Sequence, residues 1–310
     1  MRGRALGLLL GVVADAVFGD PRRGHPVAGF GAAAARLERA WWADSRVRGT
    51  AHAGVLVGAT ILGGALLERG ASRSPAATVL LTAASTWTVL GGRSLAGEGA
   101  ALAAELAAAD LPAARRRLPS LCGRDPSSLD APGLARAALE SVAENTSDAV
   151  VAPLVWGAVA GVPGLLGYRA ANTLDAMVGH LSVRHTRFGW ASARLDDVLN
   201  GVPARVAALL TAGAAPLVGG CPGAALAAWR RDAAAHPSPN AGPVEAAFAG
   251  ALGRRLGGRT VYPYGVQERP TLGSGPPPAV ADLARAVRLS RAVTVASALL
   301  AAGVAAALPR

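Results

Sequence analysis

The chain has 310 residues, of which 52% are hydrophobic and only 16% are charged. Soluble domains carry about 25% charged residues, so this composition disfavours a soluble globular protein. The formal net charge of +11 would suit a nucleic-acid-binding protein. However, the arginines are spread through every polar connection and few aromatic residues accompany them, which argues against nucleic acid as a partner. Basic connections between apolar segments are typical of a membrane protein that faces anionic lipids or anionic substrates.

Six apolar windows predict helices that span the membrane. Several are near 17–19 residues long, which is just enough to cross roughly 30 Å of hydrocarbon at 1.5 Å per residue. Their alanine, glycine and threonine content favours close packing of the helices in a compact bundle. A soluble, alanine-rich protein with buried helices is the alternative. The windows cover about residues 5–18, 51–67, 76–92, 149–167, 202–220 and 292–308.

The first window also resembles a cleavable signal, because it has a basic start, a short apolar run and the tripeptide "ADA". Asp15 lies inside that would-be cleavage site, and the later windows make the protein multi-spanning in any case. We therefore expect the first helix to be retained.

The polar connections between the windows have helical character, most clearly in 93–148, where acidic and basic residues are spaced along alanines. The stretch 262–279 is rich in turn residues and predicts an irregular loop. Pro153 and Pro163, with several glycines, could make the window 149–167 a broken or re-entrant helix. We predict an all-α, multi-pass integral membrane helical bundle with long functional loops, which forms a single polytopic domain over residues 1–310.

The segment "ESVAENTSD" places three carboxylates one helical turn apart, at Glu140, Glu144 and Asp148. Like charges at this spacing repel each other by a few tenths of a kcal/mol, so such a ridge suggests that it binds a cation. The alternative is that Thr146, Ser147 or Asp148 caps the following helix, which would explain one of these residues and leave the others without a role.

A second polar segment, residues 172–200, contains carboxylates and amides one helical turn apart. Asn172 and Asp175 are three residues apart, and Asp196 and Asn200 are four apart. Such oxygens suit Mg²⁺, a hard cation that takes few protein ligands and shares its shell with phosphates. A set of interfacial salt bridges is the alternative. The arginines nearby that could bind phosphate or carboxylate oxygens are Arg184, Arg187, Arg194 and Arg205.

Two further segments are rich in turn residues and contain polar side chains. "GDPRRGHPV" contains His25, and its alternative interpretation is a loop that ends a helix. "HPSPNAG" places His236, Ser238 and Asn240 between prolines in an extended or turning segment. This rigid loop favours a binding role, and a simple connector is the alternative.

Taken in chain order, these segments resemble the adenosylcobinamide-phosphate synthase family of cobalamin biosynthesis, the CobD/CbiB membrane proteins. The resemblance covers nearly the whole chain and departs from the expected pattern at Pro126, Arg169 and His185, none of which removes an acidic residue. The blocks that carry it are "GDP…HPV", "GRDPSSLD", "ESVAENTSDAVVAPL", "YRAANTLDAMVGH", "FGWASARLDDVLNGVPAR", "SPNAGPVEAAFAGALGRRLGG" and "RPTLG".

The resemblance implies an ATP-dependent ligase in the cytoplasmic membrane. It would join a carboxylate of adenosylcobyric acid to the amine of (R)-1-aminopropan-2-ol O-phosphate, or of aminopropanol, and it would require Mg²⁺. The lipid bilayer is an expected partner, and other cobalamin-assembly enzymes or a second copy of the chain are further candidates.

We assign site residues by chemical type. The carboxylates of Glu144, Asp148, Asp196 and Asp197 are predicted to bind Mg²⁺–ATP or to transfer protons. The residues predicted to bind substrate or phosphate are Asn145, Asn172, Asp175, Arg184, Arg187, Arg194, Asn200, His25, His236, Ser238 and Asn240.

Two other functions compete with the ligase. The segment "DDVLN" resembles the Mg²⁺-diphosphate motif of membrane prenyltransferases, so a prenyl or phospho-alcohol transferase that works without ATP is the enzymatic alternative. A corrinoid carrier or assembly scaffold is the non-enzymatic alternative, and it predicts substrate flux without ATP consumption.

Overall fold

The computed structural model describes residues 2–21, 24–180, 182–262 and 265–308. This part of the chain is mainly helical, which confirms the predicted fold class. Its α-helices are α1 (Arg2–Phe18), α2 (Pro26–Trp41), α3 (Arg46–Ala71), α4 (Pro75–Val89), α5 (Gly92–Ala107), α6 (Leu111–Arg117), α7 (Ala131–Thr146), α8 (Ala152–Leu174), α9 (Trp190–Ala214), α10 (Pro222–Asp232), α11 (Ala241–Leu252) and α12 (Val280–Ala307), and its strands are β1 (Leu256–Tyr262) and β2 (Gly265–Leu272).

Long apolar helices make this a multi-pass membrane protein. On α3, large apolar side chains such as Leu62 and Leu66 are about 60% exposed, as expected for a helix that faces lipid. The first and third predicted windows form α1 and α4, whose 17 and 15 residues lie near or below the lower limit for a span, so six spans remain a prediction. Within the described ranges, four stretches are long and apolar enough to cross a membrane: Arg46–Ala71, Ala131–Gly179, Trp190–Val218 and Val280–Ala307.

Internal contacts divide the chain into two units. Unit 1 comprises Met1–Gly91, Ala152–Asn200 and Ser297–Arg310, and unit 2 comprises Gly92–Val151 and Gly201–Ala296. In unit 1, α1 packs along α4, and α3 packs along α8. In unit 2, α7 packs against α5 and α11, and α11 also packs against α10 and the β-hairpin.

Glycines allow the close packing of α1 on α4. A Cβ atom at Gly7 would collide with the side chain of Thr82, and one at Gly11 would collide with the side chain of Thr86. The small residues of the first window therefore bring two backbones together, as their composition indicates for membrane helices.

Helix α8 is broken at Gly161, which confirms the predicted interruption of the window 149–167. Gly161 has φ 67° and ψ −149°, a conformation that is essentially restricted to glycine. An ion pair covers the break: Arg4 Nη2 lies 3.2 Å from Glu68 Oε1, and Arg4 Nη1 donates a hydrogen bond to the carbonyl oxygen of Ala158 at 3.5 Å.

We expect Gly161→Ala to lower the free energy of unfolding by at least about 1–3 kcal/mol, because the backbone conformation strains a residue with a Cβ. The new Cβ would also collide with the Glu68 carboxylate. The midpoint of SDS-induced unfolding in mixed micelles measures this change. Gly213→Ala is the matched control, since this glycine lies in α9 with open space around it. Equal midpoints for the two variants would contradict the expectation.

The prediction of an irregular loop over residues 262–279 is wrong for Gly265–Leu272, because these residues form strand β2. This strand pairs antiparallel with β1, with Arg259 opposite Glu268. Most side chains of β2 are exposed, so the strand shows no alternation of apolar and polar residues that a sequence pattern could reveal. Residues 273–279 are irregular, as predicted.

Candidate functional site

Glu140 on α7 is the centre of a group of charged residues in unit 2. Its side chain is only 1% exposed. One carboxylate oxygen, Oε2, contacts Arg124 Nη2 and lies 3.8 Å from Arg269 Nη1. The other, Oε1, accepts a hydrogen bond from the backbone N–H of Gly257 at 2.7 Å. Glu140 therefore connects α7 to the hairpin and to the loop before α7. We call this group the buried ion cluster, and its members are Arg124, Glu140, Glu144, His236, Glu245 and Arg269.

Glu245 and His236 form the second part of the buried ion cluster. Glu245 Oε1 lies 3.4 Å from Arg269 Nη2 and 3.8 Å from His236 Nε2. His236 Nε2 faces Arg269 Nη2, which can only donate. On the other side of the ring, the backbone N–H of Ser238 donates to Nδ1 at 3.0 Å, and the carbonyl oxygen of Ser238 lies 3.2 Å from the same nitrogen.

Burial shifts the proton affinities of both groups. It raises the pKa of Glu245 well above the ordinary value, and the nearby charge of Glu140 adds to this effect. Burial, followed by the positive charge of Arg269, lowers the pKa of His236 from 6.5 to about 4. At neutral pH the imidazole is therefore neutral, and the Glu245 carboxyl group is a better proton acceptor than an exposed carboxylate.

Glu144 gives the buried ion cluster more carboxylate groups than guanidinium groups. It lies one helical turn after Glu140, is only partly buried, and is within electrostatic range of Arg124 and Arg269. The three glutamates face two arginines and a neutral histidine, so the cluster carries one negative charge more than its arginines compensate when every glutamate is ionised. A proton or a cationic group of a ligand would restore neutrality.

The low pKa of His236 makes stability depend on pH. Between pH 6.5 and about 4 the unfolded chain binds a proton that the folded protein does not bind, so this contribution is present above pH 6.5 and is lost as the pH falls. It amounts to about 3 kcal/mol. We expect the stability difference between the wild type and His236→Gln to shrink by this amount from pH 7 to pH 4. The difference is the useful quantity because Glu245, whose pKa is raised, acts in the opposite direction as the pH rises above 4.5. A difference that does not change with pH would contradict the expectation.

A second polar group, the Asp196 cluster, lies in unit 1 and connects α8 to α9. Both carboxylate oxygens of Asp196 accept amide hydrogen bonds, Oδ1 from Asn172 Nδ2 at 3.2 Å and Oδ2 from Asn200 Nδ2 at 2.9 Å. The amide oxygens are occupied in turn, because Tyr168 Oη donates to Asn200 at 2.8 Å and Arg169 Nη1 to Asn172 at 3.5 Å. These contacts hold the Asp196 carboxylate in one orientation, which suits it as an oxygen ligand for a hard cation.

Three of the arginines predicted to bind phosphate, Arg184, Arg187 and Arg194, each have a carboxylate partner in unit 1. Arg194 Nη1 lies 3.1 Å from Asp197 Oδ2, and Arg187 Nη1 lies 3.6 Å from Asp44 Oδ2. Arg184 Nε lies 3.0 Å from Glu38 Oε1, and its guanidinium group also stacks on the Trp42 ring. Burial raises the pKa of Glu38, but hydrogen bonds from His185 and Arg184 outweigh it and hold this pKa below the ordinary value. A phosphate would have to compete with these carboxylates.

Several other predicted residues have local roles. His25 caps α2, because its Nδ1 accepts a hydrogen bond from the backbone N–H of Val27 at 3.1 Å. Asn145 Nδ2 donates to the carbonyl oxygen of Ser141 at 3.0 Å. Asp148 and Asp175 each lie in a π-helical turn, at Ser147–Val151 and Asp175–Gly179.

The loop before α11 carries the remaining predicted residues. Ser238 Oγ accepts a hydrogen bond from the backbone N–H of Ala241 at 3.1 Å, and Asn240 Oδ1 accepts one from Arg205 Nη1 at 2.8 Å. The structure therefore brings His236 and Glu144 into one group, and Asn172, Asp196 and Asn200 into another.

Among the residues that the structure describes, no three or more His, Cys, Asp and Glu side chains are grouped so that they could hold a metal ion. The assignment of Glu144, Asp148, Asp196 and Asp197 to Mg²⁺ therefore remains a prediction. Mg²⁺ takes most of its ligands from water and phosphate, so a single oriented carboxylate, as in the Asp196 cluster, is sufficient as its protein ligand.

Sequence reasoning missed Arg124, Glu245 and Arg269 as site residues, and it noted Glu140 only as part of an acidic ridge. A signal was present for Glu245, because it is an acidic residue in the otherwise small and apolar helix "AGPVEAAFAGAL". Arg124 and Arg269 lie in or beside the blocks "GRDPSSLD" and "RPTLG", but nothing local indicates that they meet.

These features define a multi-pass helical membrane protein with a buried ion cluster and a separate carboxylate–amide cluster. The chain belongs to the CobD/CbiB family, since the family model described as CobD/Cbib protein matches residues 8–290. It is 60% identical over 298 residues to the cobalamin biosynthesis protein CobD of Mycobacterium tuberculosis, covering 96% of this chain and 95% of the relative. It is 49% identical over 275 residues to the protein of the same name from Rhodobacter capsulatus, covering 87% and 86% of the two chains. No solved structure matches the chain.

Proposed function

We propose that this protein is a ligase of cobalamin biosynthesis in the cytoplasmic membrane. It would join a carboxylate of adenosylcobyric acid to the amine of (R)-1-aminopropan-2-ol O-phosphate, or of aminopropanol, in a reaction driven by ATP. Membership of the CobD/CbiB family supports the pathway, because the relatives are named cobalamin biosynthesis proteins. The buried ion cluster is the observation that supports the chemistry.

The reaction needs an activated acid and a neutral amine. Attack of the substrate carboxylate oxygen on the γ-phosphorus of ATP would break the bond to ADP and form an acyl phosphate. The amine nitrogen would then attack the carbonyl carbon, and inorganic phosphate would leave with the bonding electrons. An ammonium group must first give its proton to a base, so a positioned proton acceptor is required.

The buried ion cluster supplies such an acceptor. The pKa of Glu245 is raised by burial, so its carboxylate would bind the proton of an ammonium group more readily than an exposed carboxylate would. The uncompensated negative charge, with Glu144 as its most accessible member, would attract the ammonium group of the amine substrate. Glu245 and Glu144 are therefore the proposed proton acceptors.

Asp196 is the proposed ligand for the Mg²⁺ that accompanies ATP. Asn172 and Asn200 hold both of its oxygens in place, which leaves the carboxylate oriented before a ligand arrives. When bound, Mg²⁺ would neutralise charge on the phosphates. Asp197, Asp148 and Glu144 remain predicted ligands.

A reconstituted reaction tests the proposal. Purified protein in detergent is mixed with Mg²⁺, a cobyric acid and either amine, with and without ATP, and mass spectrometry of the corrinoid identifies the product. We expect an amide product only when ATP is present, with release of ADP and phosphate in equal amounts. The absence of an amide product in the presence of ATP would contradict the ligase, and corrinoid flux into vesicles with no ATP consumption would favour the carrier.

A further inference from the structure

An open cleft in unit 2 lies beside the buried ion cluster. Its volume is about 420 Å³, and it is formed by residues of α9, α10, α11 and the segment between α10 and α11. This volume falls within the range of about 300–1,000 Å³ that is usual for small-molecule sites. Pro237, Pro239 and Pro243 are among its lining residues, and their fixed φ angles make these parts of the lining rigid.

The cleft is positively charged. Arg205 and Arg230 line it, and none of its lining residues is an aspartate or a glutamate. Arg205 makes its hydrogen bonds through Nη1 to neutral oxygens, the Gly201 carbonyl at 2.9 Å and Asn240 Oδ1 at 2.8 Å. Arg230 forms no hydrogen bond or ion pair with any residue in the described ranges. Two guanidinium charges in one cleft therefore lack a carboxylate partner.

This arrangement differs from that of the other three arginines that the sequence indicates as phosphate ligands. Arg184, Arg187 and Arg194 are each paired with a carboxylate, which an anion would have to displace. An anion in the cleft could accept hydrogen bonds from these two guanidinium groups without displacing a carboxylate. Such charge-assisted hydrogen bonds are stronger than hydrogen bonds between neutral groups.

His236 lies between the cleft and the buried ion cluster. It lines the cleft, and its Nε2 contacts Arg269 and lies 3.8 Å from Glu245. Since His236 is neutral, it adds no charge of its own to the cleft. A ligand whose anionic group binds Arg205 and Arg230 would thus lie next to the group of residues that can accept a proton.

We propose that the Arg205–Arg230 cleft binds the phosphate monoester group of a small soluble molecule. The choice of a soluble ester over a lipid headgroup rests on the proposed function, because one of its two candidate amine substrates, (R)-1-aminopropan-2-ol O-phosphate, carries such a group. The anion site itself stands on the two unpaired guanidinium groups and the cleft, and direct binding tests it even if the ligase reaction fails.

The test is direct binding of inorganic phosphate and of aminopropanol phosphate to the purified full-length protein in detergent, by calorimetry. We expect Arg205→Gln and Arg230→Gln each to weaken both affinities about tenfold or more, since each removes a charged donor. Arg231→Gln is the matched control, because this neighbour of Arg230 is paired with Asp232 at 2.7 Å and does not line the cleft. Arg230→Gln removes no hydrogen bond or ion pair with a described residue, so its folding should be unaffected, and circular dichroism checks this.

Two parallel measurements identify the source of the phosphate. ATP binding and binding to nanodiscs that contain anionic lipid should be the same for the wild type and both cleft variants. The proposal is overturned if folded Arg230→Gln and Arg205→Gln proteins bind phosphate as the wild type does. It is also overturned if only the lipid measurement, or only the ATP measurement, changes.

Discussion

Replacing Glu140 by alanine is expected to lower the free energy of unfolding by about 3–5 kcal/mol, the range seen when one partner of a buried ion pair is removed. The substitution would leave the guanidinium groups of Arg124 and Arg269 without their shared carboxylate oxygen. It would also leave the backbone N–H of Gly257 without an acceptor. Because Glu140 connects α7 to the hairpin, we expect the variant to lose ligase activity as well. SDS-induced unfolding and the ligation assay measure the two effects.

The control for Glu140→Ala is Glu98→Ala, which removes a carboxylate from a more exposed ion pair. Glu98 Oε2 lies 2.9 Å from Arg117, which also pairs with Glu105 at 2.7 Å, so we expect a loss below about 1 kcal/mol. The loss of unfolding free energy in Glu140→Gln should lie between those of Glu140→Ala and Glu98→Ala. The new amide oxygen can still accept a hydrogen bond from the backbone N–H of Gly257, but the side chain carries no charge. Similar unfolding midpoints for the two alanine variants would refute the central role of Glu140.

Asp196→Asn is expected to lower the rate of ATP-dependent ligation by about 100-fold or more, which is typical when one preorganised electrostatic group is removed from a catalytic site. The substitution keeps the shape of the side chain but removes its charge. It also turns an amide N–H₂ group toward Asn172 or Asn200, which donate to the carboxylate in the native protein. If Asp196 holds Mg²⁺, the KM for Mg²⁺–ATP should rise in addition.

Asp197→Asn is the matched comparison. Asp197 is the next residue in α9, and its carboxylate pairs with Arg194, whose side chain is 67% exposed. Loss of such a pair has a small effect on stability, and we expect ligation to be reduced much less than in Asp196→Asn. Full activity in both variants would remove both aspartates from the site. A larger loss in Asp197→Asn would mean that Asp197, and not Asp196, is the functional carboxylate.

Features that depend on one segment of the chain can be predicted from local sequence patterns. The apolar windows predict helices because hydrophobic composition and length are properties of one segment. Prolines and glycines weaken a helix locally, so Pro153 and Pro163 with the nearby glycines indicated an interruption of the window 149–167, and the structure places the break at Gly161. The ordered blocks indicated the CobD/CbiB family, and the spacing of Asp196 and Asn200 indicated a pair on one helical face.

Contacts between residues that are distant in the chain follow from the packing of the helices and the hairpin. Glu140 pairs with Arg124 sixteen residues before it, and it also binds Gly257, which lies 117 residues after it. No periodicity records such a contact, because it arises when α7, α11 and the hairpin pack together. The strand Gly265–Leu272 was missed for the same reason, since its hydrogen bonds come from a partner segment. Sequence patterns also do not show that Arg205 and Arg230 have no carboxylate partner among the described residues, because whether a guanidinium group has such a partner is decided by packing alone.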